Sequence, residues 1–334
     1  METNEAVVLR RRPTGLLSAD DVEHVELPMP RAEPGQLVVR TEWLGIDATV
    51  RSWLNSGEGY LPPVEIGAVV RCSGIGTVVE SRADRFTEGE RAYGLPGWQR
   101  YAVLPDEVGI TTPLPASADP EATMAVFGAT GLTAYLGIVD IGAAQAGETV
   151  VVSAAAGATG SLAAQIAKIR GCRVVGVAGS DEKCRWLVDD LGLDGAINHR
   201  SADLAAELRR LCPDRIDVYF DNVGGPILDA CLGRLARNGR VVLCGAISAY
   251  NEVRRPPGPA NYVQLIQRRG RMEGFLALDH WGRMPEIAEI LGGWLAYGQL
   301  RFRTQQFDGL ESAVEALNAL FTGANIGKVV IRLG

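Results

Sequence analysis

The chain has 334 residues, of which 47% are hydrophobic and 22% charged, a composition typical of a globular protein long enough for two domains. The formal net charge of −7 argues against a nucleic-acid-binding protein, because such proteins normally carry a basic face. The beginning has no apolar signal segment, and no apolar run approaches the roughly 18 residues of a membrane span. The six cysteines form no C-x-x-C pair, so we expect free thiols in a reducing cytoplasm. We also expect no membrane partner.

The chain up to about residue 120 contains short apolar segments that are β-branched or alternate with polar residues. Glycine and proline separate these segments, as is typical of strands joined by turns. We expect strands at EAVVL (5–9), QLVVRTEWLGI (36–46), GAVVRCSGIGTVVES (67–81) and WQRYAVL (98–104). The pattern predicts a compact antiparallel β-barrel.

From about residue 120 strands and helices alternate. After one or two buried helices, strands are predicted at TVVVS (149–153), RVVGVA (173–178), IDVYFDNV (216–223), GRVVLCGAI (239–247) and RMEGFLA (271–277). Helices between them are expected to end near Gly171 and Gly192. This order predicts an α/β fold with a doubly wound parallel sheet of the Rossmann type.

The last thirty or so residues give a strand, a helix and a final strand, KVVIRL (328–333), which we expect to return to the first domain. The predicted division is therefore a barrel domain of residues 1–120 and 301–334, and a nucleotide-binding domain of residues 121–300.

The strongest local motif follows the strand at 149–153, which runs into Ala154-x-x-Gly157-x-x-Gly160 and directly into a helix. The usual dinucleotide fingerprint is G-x-G-x-x-G, and here its first positions are alanine-rich. Small residues let the backbone approach a pyrophosphate, whose charge faces the N–H groups of the new helix. We therefore predict a dinucleotide site, the alternative being a turn that is rich in glycine only for packing.

The end of the second parallel strand bears on the choice between NAD and NADP. NAD sites usually place a carboxylate there, whereas this strand ends in Gly179-Ser180. Lys183, His199 and Arg200 follow nearby and can form a cationic pocket for a 2′-phosphate. Lys183 is equally explained as a solvated helix residue, and the two acids before it as first-turn residues that favour a helix N-terminus. The pattern favours NADP(H).

The sequence offers no recognisable metal site and no hydrolase motif. None of the three histidines, His24, His199 and His280, is at ligand spacing from a cysteine, and no four-cysteine cluster or G-x-S-x-G is present. We therefore expect no metal, and an oxyanion would need hydroxyls, backbone N–H groups or the cofactor ribose. The candidate hydroxyls belong to Tyr60, Ser248 and Tyr250. Each tyrosine is equally explained as a half-buried packing residue.

Several longer segments resemble one family in the right order. They are PPVEIGAVVRCSGIGTVVES (62–81), GWQRYAVL (97–104), FGATGLTAYLGI (127–138), AAAGATGS (154–161), AGSDEKCRWLVDDLGLDGAINHR (178–200), FDNVGG (220–225), CGAISAYN (244–251) and NIGKVVI (325–331). Over essentially its whole length the chain is similar to the zinc-independent medium-chain dehydrogenase/reductases. Within them it resembles the group of leukotriene B4 dehydrogenases, prostaglandin reductases and plant alkenal double-bond reductases.

The resemblance implies a GroES-like barrel, a Rossmann domain and a cofactor between them. It implies NADPH-dependent reduction of the double bond of α,β-unsaturated aldehydes and ketones by a homodimer. Tyr250, and with it Tyr60, are the implied catalytic residues. The implied cofactor-binding residues are Ala156, Gly157, Ala158, Thr159, Gly160, Gly179, Ser180, Lys183, His199, Arg200, Asn222, Cys244, Ala246, Ile247, Ser248 and Asn325.

The chain departs from the family at identifiable positions. His199 replaces a tyrosine and Arg200 a lysine, while Thr49 replaces the tyrosine of a D-P-Y-M-R motif, which alters the wall of the substrate pocket. The segment EVRRPPGP (252–259) also differs from many members and is expected to border the entrance. Its two arginines either meet an anionic substrate or are solvated loop charges.

The implied reaction transfers hydride from C4 of NADPH to the β-carbon. The resulting enolate is held by the ribose 2′-hydroxyl and Tyr250, with Tyr60 as a further donor. Two alternatives remain open at this stage. One is a quinone or carbonyl reductase of the same superfamily, and the other is an NADPH-binding protein without catalysis.

Overall fold

The structure, a computed structural model, describes residues 3–57, 59–252, 254 and 256–334. The chain forms two compact units. The first contains Met1–Met124, Thr304–Asn325 and Val329–Gly334, and the second contains Ala125–Arg303 and Ile326–Lys328. The sequence-based boundaries at 120 and 300 lie a few residues before these. The sequence did not indicate that Ile326–Lys328 would pack with the second unit.

The helices and strands alternate along the chain as follows. The strands are β1 (Thr3–Leu9), β2 (Val22–Pro28), β3 (Gln36–Ile46), β4 (Ser73–Ser81), β5 (Arg91–Gly94), β6 (Tyr101–Pro105), β7 (Thr112–Leu114), β8 (Thr149–Ser153), β9 (Arg173–Ala178), β10 (Gly195–Asn198), β11 (Ile216–Asp221), β12 (Leu235–Leu243), β13 (Arg271–Gly274), β14 (Thr304–Asp308) and β15 (Lys328–Arg332). The helices are α1 (Thr49–Trp53), α2 (Pro120–Ala125), α3 (Ala129–Tyr135), α4 (Ala158–Ile169), α5 (Asp181–Arg185), α6 (Leu204–Leu211), α7 (Gly225–Gly233), α8 (Val263–Arg268), α9 (Met284–Ala296) and α10 (Ala313–Thr322). Single π-helical turns continue α3 over Leu136–Ile141 and α5 over Trp186–Asp190.

The first unit is built on an antiparallel sheet in the order β14-β15-β3-β4-β5-β7, with β6 also paired to β3 and β1–β2 forming a separate pair. The long strand β3 connects several strands of this unit, since its first half pairs with β6 and its second half pairs with β15. The register that opposes Val329 to Ile46 confirms the predicted return of the last strand to the first domain. The strand β2 was not predicted, because it is largely exposed and carries no apolar alternation.

The second unit is a parallel sheet in the order β10-β9-β8-β11-β12-β13. Successive residues of β8 point to opposite faces, so Val150 and Val152 join one apolar cluster and Val151 joins another. Burial on both faces explains the uninterrupted apolar run of this strand and confirms the doubly wound α/β prediction.

The strand order of this sheet reverses between β8 and β11, which lie side by side in parallel. In open α/β sheets, ligands bind beyond the carboxyl ends of the strands at such a switch point.

The two helix ends predicted at Gly171 and Gly192 are also confirmed, since both glycines adopt left-handed backbone angles, with φ of 81° and 68°.

Candidate active site

The loop between β8 and α4 fits the pyrophosphate of a dinucleotide. The Gly157 N–H donates to the Ala154 carbonyl (2.9 Å), and α4 then begins at Ala158 and runs for 12 residues. At Gly160 an added Cβ would lie 2.3 Å from the Ala154 carbonyl oxygen, so the tight turn requires glycine there. The predicted Ala156, Gly157, Ala158, Thr159 and Gly160 are all brought together on this turn. Their small side chains leave the first N–H groups of the helix open to an anion.

Sequence reasoning missed Gly327, which supports this loop. Its N–H donates to the Ala156 carbonyl (2.8 Å). Its φ is 73°, and a Cβ would lie 1.9 Å from the carbonyl oxygen of Arg303. Glycine is therefore required at this position, and the contact explains why Ile326–Lys328 packs with the second unit. The only sequence signal was a glycine after Asn325 in an otherwise apolar stretch.

The basic residues that are predicted to bind a 2′-phosphate lie together at the end of β9. An added Cβ at Gly179 would lie 3.3 Å from Nε of Arg200 and 3.5 Å from Nε2 of His199. The Ser180 hydroxyl accepts the N–H of Lys183 (3.3 Å) and thereby starts α5. Withdrawal from solvent and the charge of Arg200 lower the pKa of Lys183, which is half-buried rather than fully solvated. The five predicted residues thus form one cluster, in which the positive charges of Lys183 and Arg200 repel each other.

Asn222 and the segment after β12 meet at the switch point. The Asn222 N–H donates to the Ser153 hydroxyl (2.9 Å), and its side-chain amide donates to the Ser153 carbonyl (2.7 Å). The Ile247 N–H donates in turn to the Asn222 carbonyl (3.1 Å). The Ser248 hydroxyl donates to the Val223 carbonyl (2.6 Å), so this candidate hydroxyl holds the two loops together.

Tyr250 follows a short 3-10 turn, Ile247–Ala249, and its hydroxyl oxygen accepts the N–H of Ala246 (3.2 Å). The phenol oxygen is the acceptor in this bond, and a phenol O–H can also act as a donor. The thiol of Cys244, the first residue after β12, is a poor nucleophile, because burial, with the nearby Asp221 carboxylate, raises its pKa to about 12.

Asp221 is a further residue that sequence reasoning did not single out. Its buried carboxylate accepts hydrogen bonds from the hydroxyls of Tyr219 (2.7 Å) and Ser153 (3.1 Å). It also accepts the N–H groups of Val223 and Gly224, each at 2.9 Å. The backbone carbonyl of the same residue accepts the first two N–H groups after β12. Asp221 therefore ties together the ends of β8, β11 and β12, which carry the loops described above.

In the first unit, the Tyr60 hydroxyl is hydrogen-bonded to that of Thr49. The Tyr60 ring meets Trp53 edge-on, with centroids 6.3 Å apart, and these residues border a surface cavity over the segment 52–63. Partial burial raises the pKa of Tyr60, so its phenol keeps its proton at neutral pH. Thr49, at the position where the chain departs from the D-P-Y-M-R motif, thus contacts Tyr60, the second of the two predicted catalytic tyrosines. Asn325 also belongs to this unit and is buried.

Some expectations concern what the chain does not contain. Among residues 3–57, 59–252, 254 and 256–334, no group of three or more His, Cys, Asp or Glu is arranged to hold a metal ion. In the same part of the chain, no helix is both long and apolar enough to cross a membrane. The six cysteines, all within the described residues, are not joined in disulfides, and a cytoplasmic location stays a prediction. Of the two arginines in segment 252–259, Arg254 is exposed, and Arg255 lies outside the described residues.

An antiparallel GroES-like unit and a doubly wound unit with a glycine loop at its switch point define the medium-chain dehydrogenase/reductase class. Two family descriptions match the chain: "N-terminal domain of oxidoreductase" over residues 5–111 and "Zinc-binding dehydrogenase" over residues 158–292. The chain belongs to the zinc-independent branch of this class, in the group of alkenal and enone reductases.

Its similarity to characterised members extends over nearly the whole chain. The NADPH-dependent curcumin reductase of Escherichia coli is 37% identical, with 99% of this chain and 97% of that protein aligned. The NADP-dependent 2-alkenal reductase of Nicotiana tabacum is 37% identical over 98% of this chain and 97% of that protein. The crystal structure of CurA from Vibrio vulnificus in complex with NADPH superposes with a TM-score of 0.93 at 36% identity, covering 99% of both chains.

Proposed function

We propose that the protein uses NADPH to reduce the carbon–carbon double bond of α,β-unsaturated aldehydes or ketones. The observation that carries the proposal is the hydroxyl of Tyr250, which is fixed by Ala246 on the loop joined to Asn222 at the switch point. It gives the site a proton donor for a developing oxyanion without a metal ion. The relatives named for curcumin and 2-alkenal reduction support a conjugated carbonyl as the substrate class.

The residues that would hold NADPH form three groups. The loop 156–160 would bind the pyrophosphate through its N–H groups. The cluster at the end of β9 would bind the 2′-phosphate through Gly179, Ser180, Lys183, His199 and Arg200. In the second unit, the nicotinamide side would be formed by Asn222, Cys244, Ala246, Ile247 and Ser248, and the role of Asn325 stays one that the resemblance implies.

Bound NADPH would supply a hydride, which adds to the β-carbon of the substrate and shifts negative charge to the carbonyl oxygen. The Tyr250 O–H donates to that oxygen as the charge develops. The Ala246 N–H donates to the phenolic oxygen and therefore stabilises the negative charge that this oxygen gains as its proton moves towards the substrate. The α-carbon then takes a proton from water or through Tyr250, which yields the saturated aldehyde or ketone. Tyr60, kept protonated and hydrogen-bonded to Thr49 in the first unit, stays a further donor that the resemblance implies.

The position of a transferred deuterium tests this function. The protein is incubated with NADPH deuterated at C4, on each face separately, and with a panel of enals, enones and quinones. Mass spectrometry should find deuterium at the β-carbon of a saturated carbonyl product. Deuterium on a carbinol carbon, or NADPH oxidation with quinones alone, would favour a quinone or carbonyl reductase. Binding of NADPH without transfer to any compound would favour a non-catalytic protein.

We also infer that the protein is a homodimer. Within the described residues β13 pairs only with β12, and most of its residues are exposed. Just before it, Tyr262, Val263 and Ile266 expose apolar side chains. A second copy can extend the sheet along β13 and cover these side chains. Light scattering should therefore give twice the chain mass of 35.7 kDa, and a monomer at micromolar concentration would contradict the inference.

A further inference from the structure

We propose that NADPH binding to this protein takes up a proton on His199, so that the preference for NADPH over NADH increases as the pH falls. The inference rests on the proposed function, because it assigns the residue through which the site senses the 2′-phosphate. NADH lacks this phosphate and therefore serves as the matched ligand.

The proposal starts from where the imidazole lies. The backbone N–H of His199 donates to the Ala178 carbonyl (3.0 Å), which fixes this residue beside the last residue of β9. Its Nε2 and the Nε of Arg200 both lie within 3.5 Å of the position that a Cβ on Gly179 would occupy. The end of the second parallel strand is where dinucleotide sites contact the ribose 2′ substituent. The imidazole and the guanidinium are thus at the position that distinguishes NADPH from NADH.

The charges that act on His199 are mainly positive. They belong to Arg200 on the same loop and Lys183 on α5. Acidic groups on the neighbouring elements have other partners. Asp181 of α5 accepts the side-chain amide of Asn198 (2.7 Å), and the Asp203 side chain accepts the N–H of Ala206 in α6 (3.0 Å). Glu182, next to Lys183, acts on that lysine.

The sign of the proton linkage follows from these charges. Partial burial, Arg200 and Lys183 lower the pKa of His199 below its ordinary value, so the imidazole is neutral at pH 7 before the cofactor binds. A phosphate dianion close to it favours the charged form and raises this pKa on binding. NADPH binding therefore takes up a proton between the two pKa values, and NADPH affinity is lost as the pH rises through that interval.

The other groups of the cluster titrate elsewhere or with the opposite sign. A phosphate monoester has its second pKa near 6, and cations that hold the dianion make binding release a proton at acidic pH. A tyrosine, as the family has at this position, has an ordinary pKa of about 10 and stays neutral near pH 7. The pKa of Lys183 is also lowered and would rise with the same sign, but from a much higher ordinary value of about 10.4. His199→Gln keeps Lys183 and therefore isolates the proton uptake by the histidine.

The experiment is isothermal titration calorimetry of NADPH and NADH at pH 7.0 in two buffers that differ in ionisation enthalpy. For the wild-type protein we expect net proton uptake with NADPH and none with NADH. His199→Gln and His199→Tyr should bind NADPH without that uptake. Between pH 6.5 and 8.5 the Kd of the wild-type protein for NADPH should rise about two- to threefold more than that of His199→Gln. A pKa shift of about one unit gives about tenfold over the whole titration, and part of that change lies below pH 6.5.

The outcomes separate this inference from the proposed function. Tight NADPH binding without proton uptake, or equal uptake by His199→Gln, would overturn the inference alone. Equal affinities for NADPH and NADH at pH 6.5 would overturn both the inference and the cofactor assignment. NMR provides an independent readout, because the chain has only three histidines and the His199 signal is identified by its loss in His199→Gln. Its titration midpoint should move upward when NADPH is added.

Discussion

Replacing Tyr250 by phenylalanine is expected to lower kcat about 100- to 1000-fold, the usual loss when one oxyanion donor is removed. The affinity for NADPH should stay near the wild-type value, because the ring remains and only the hydroxyl is lost. The acceptor of the Ala246 N–H is lost as well, but the hydrogen bonds that join the loop to Asn222 and Val223 are made by other groups. Steady-state turnover of an enone and fluorescence titration with NADPH measure the two quantities separately.

The control for this variant is Tyr297→Phe, which removes the hydroxyl of a tyrosine that is 85% exposed in the same unit. Its turnover should equal that of the wild-type protein. Unchanged kcat in Tyr250→Phe would remove this hydroxyl from the mechanism. Loss of NADPH binding in the same variant would show that the hydroxyl mainly supports the loop.

Replacing Gly160 by alanine is expected to weaken NADPH binding by about 100-fold or more. The new methyl group would lie 2.3 Å from the Ala154 carbonyl oxygen, closer than van der Waals contact permits, so the phosphate loop must move. A displaced loop no longer aims its N–H groups at a pyrophosphate. The Kd is measured by fluorescence titration, and the rise in Tm on adding NADPH gives a second readout, since a ligand stabilises only the state that binds it.

Gly293→Ala is the matched control, because the same methyl group added at Gly293 in α9 meets no atom within 4 Å. This variant should bind NADPH like the wild-type protein and should unfold at the same temperature or a slightly higher one. If Gly160→Ala keeps both the wild-type Kd and the NADPH-dependent rise in Tm, this loop does not hold the pyrophosphate.

Much of this fold is encoded locally and was predictable. The apolar run of β8 follows from burial on both faces of a parallel sheet, and the glycines of the phosphate loop follow from the sharp turn into α4. Both signals lie within a dozen consecutive residues. The strand β2 has no such signal, since pairing with β1 rather than burial holds it in place, and sequence periodicity does not report pairing.

The sequence by itself determined the class of fold, the phosphate loop, the family and the residues at which this chain departs from it. It did not determine which residues meet. That Thr49 contacts Tyr60, that Asp221 joins three strand ends, and that Gly327 supports the phosphate loop depend on backbone brought together from distant parts of the chain. The same holds for His199, which is visible in the sequence but is placed beside Gly179 by the pairing of the parallel strands β9 and β10. Strand order and register decide such contacts, because they place side chains that local sequence patterns leave unrelated.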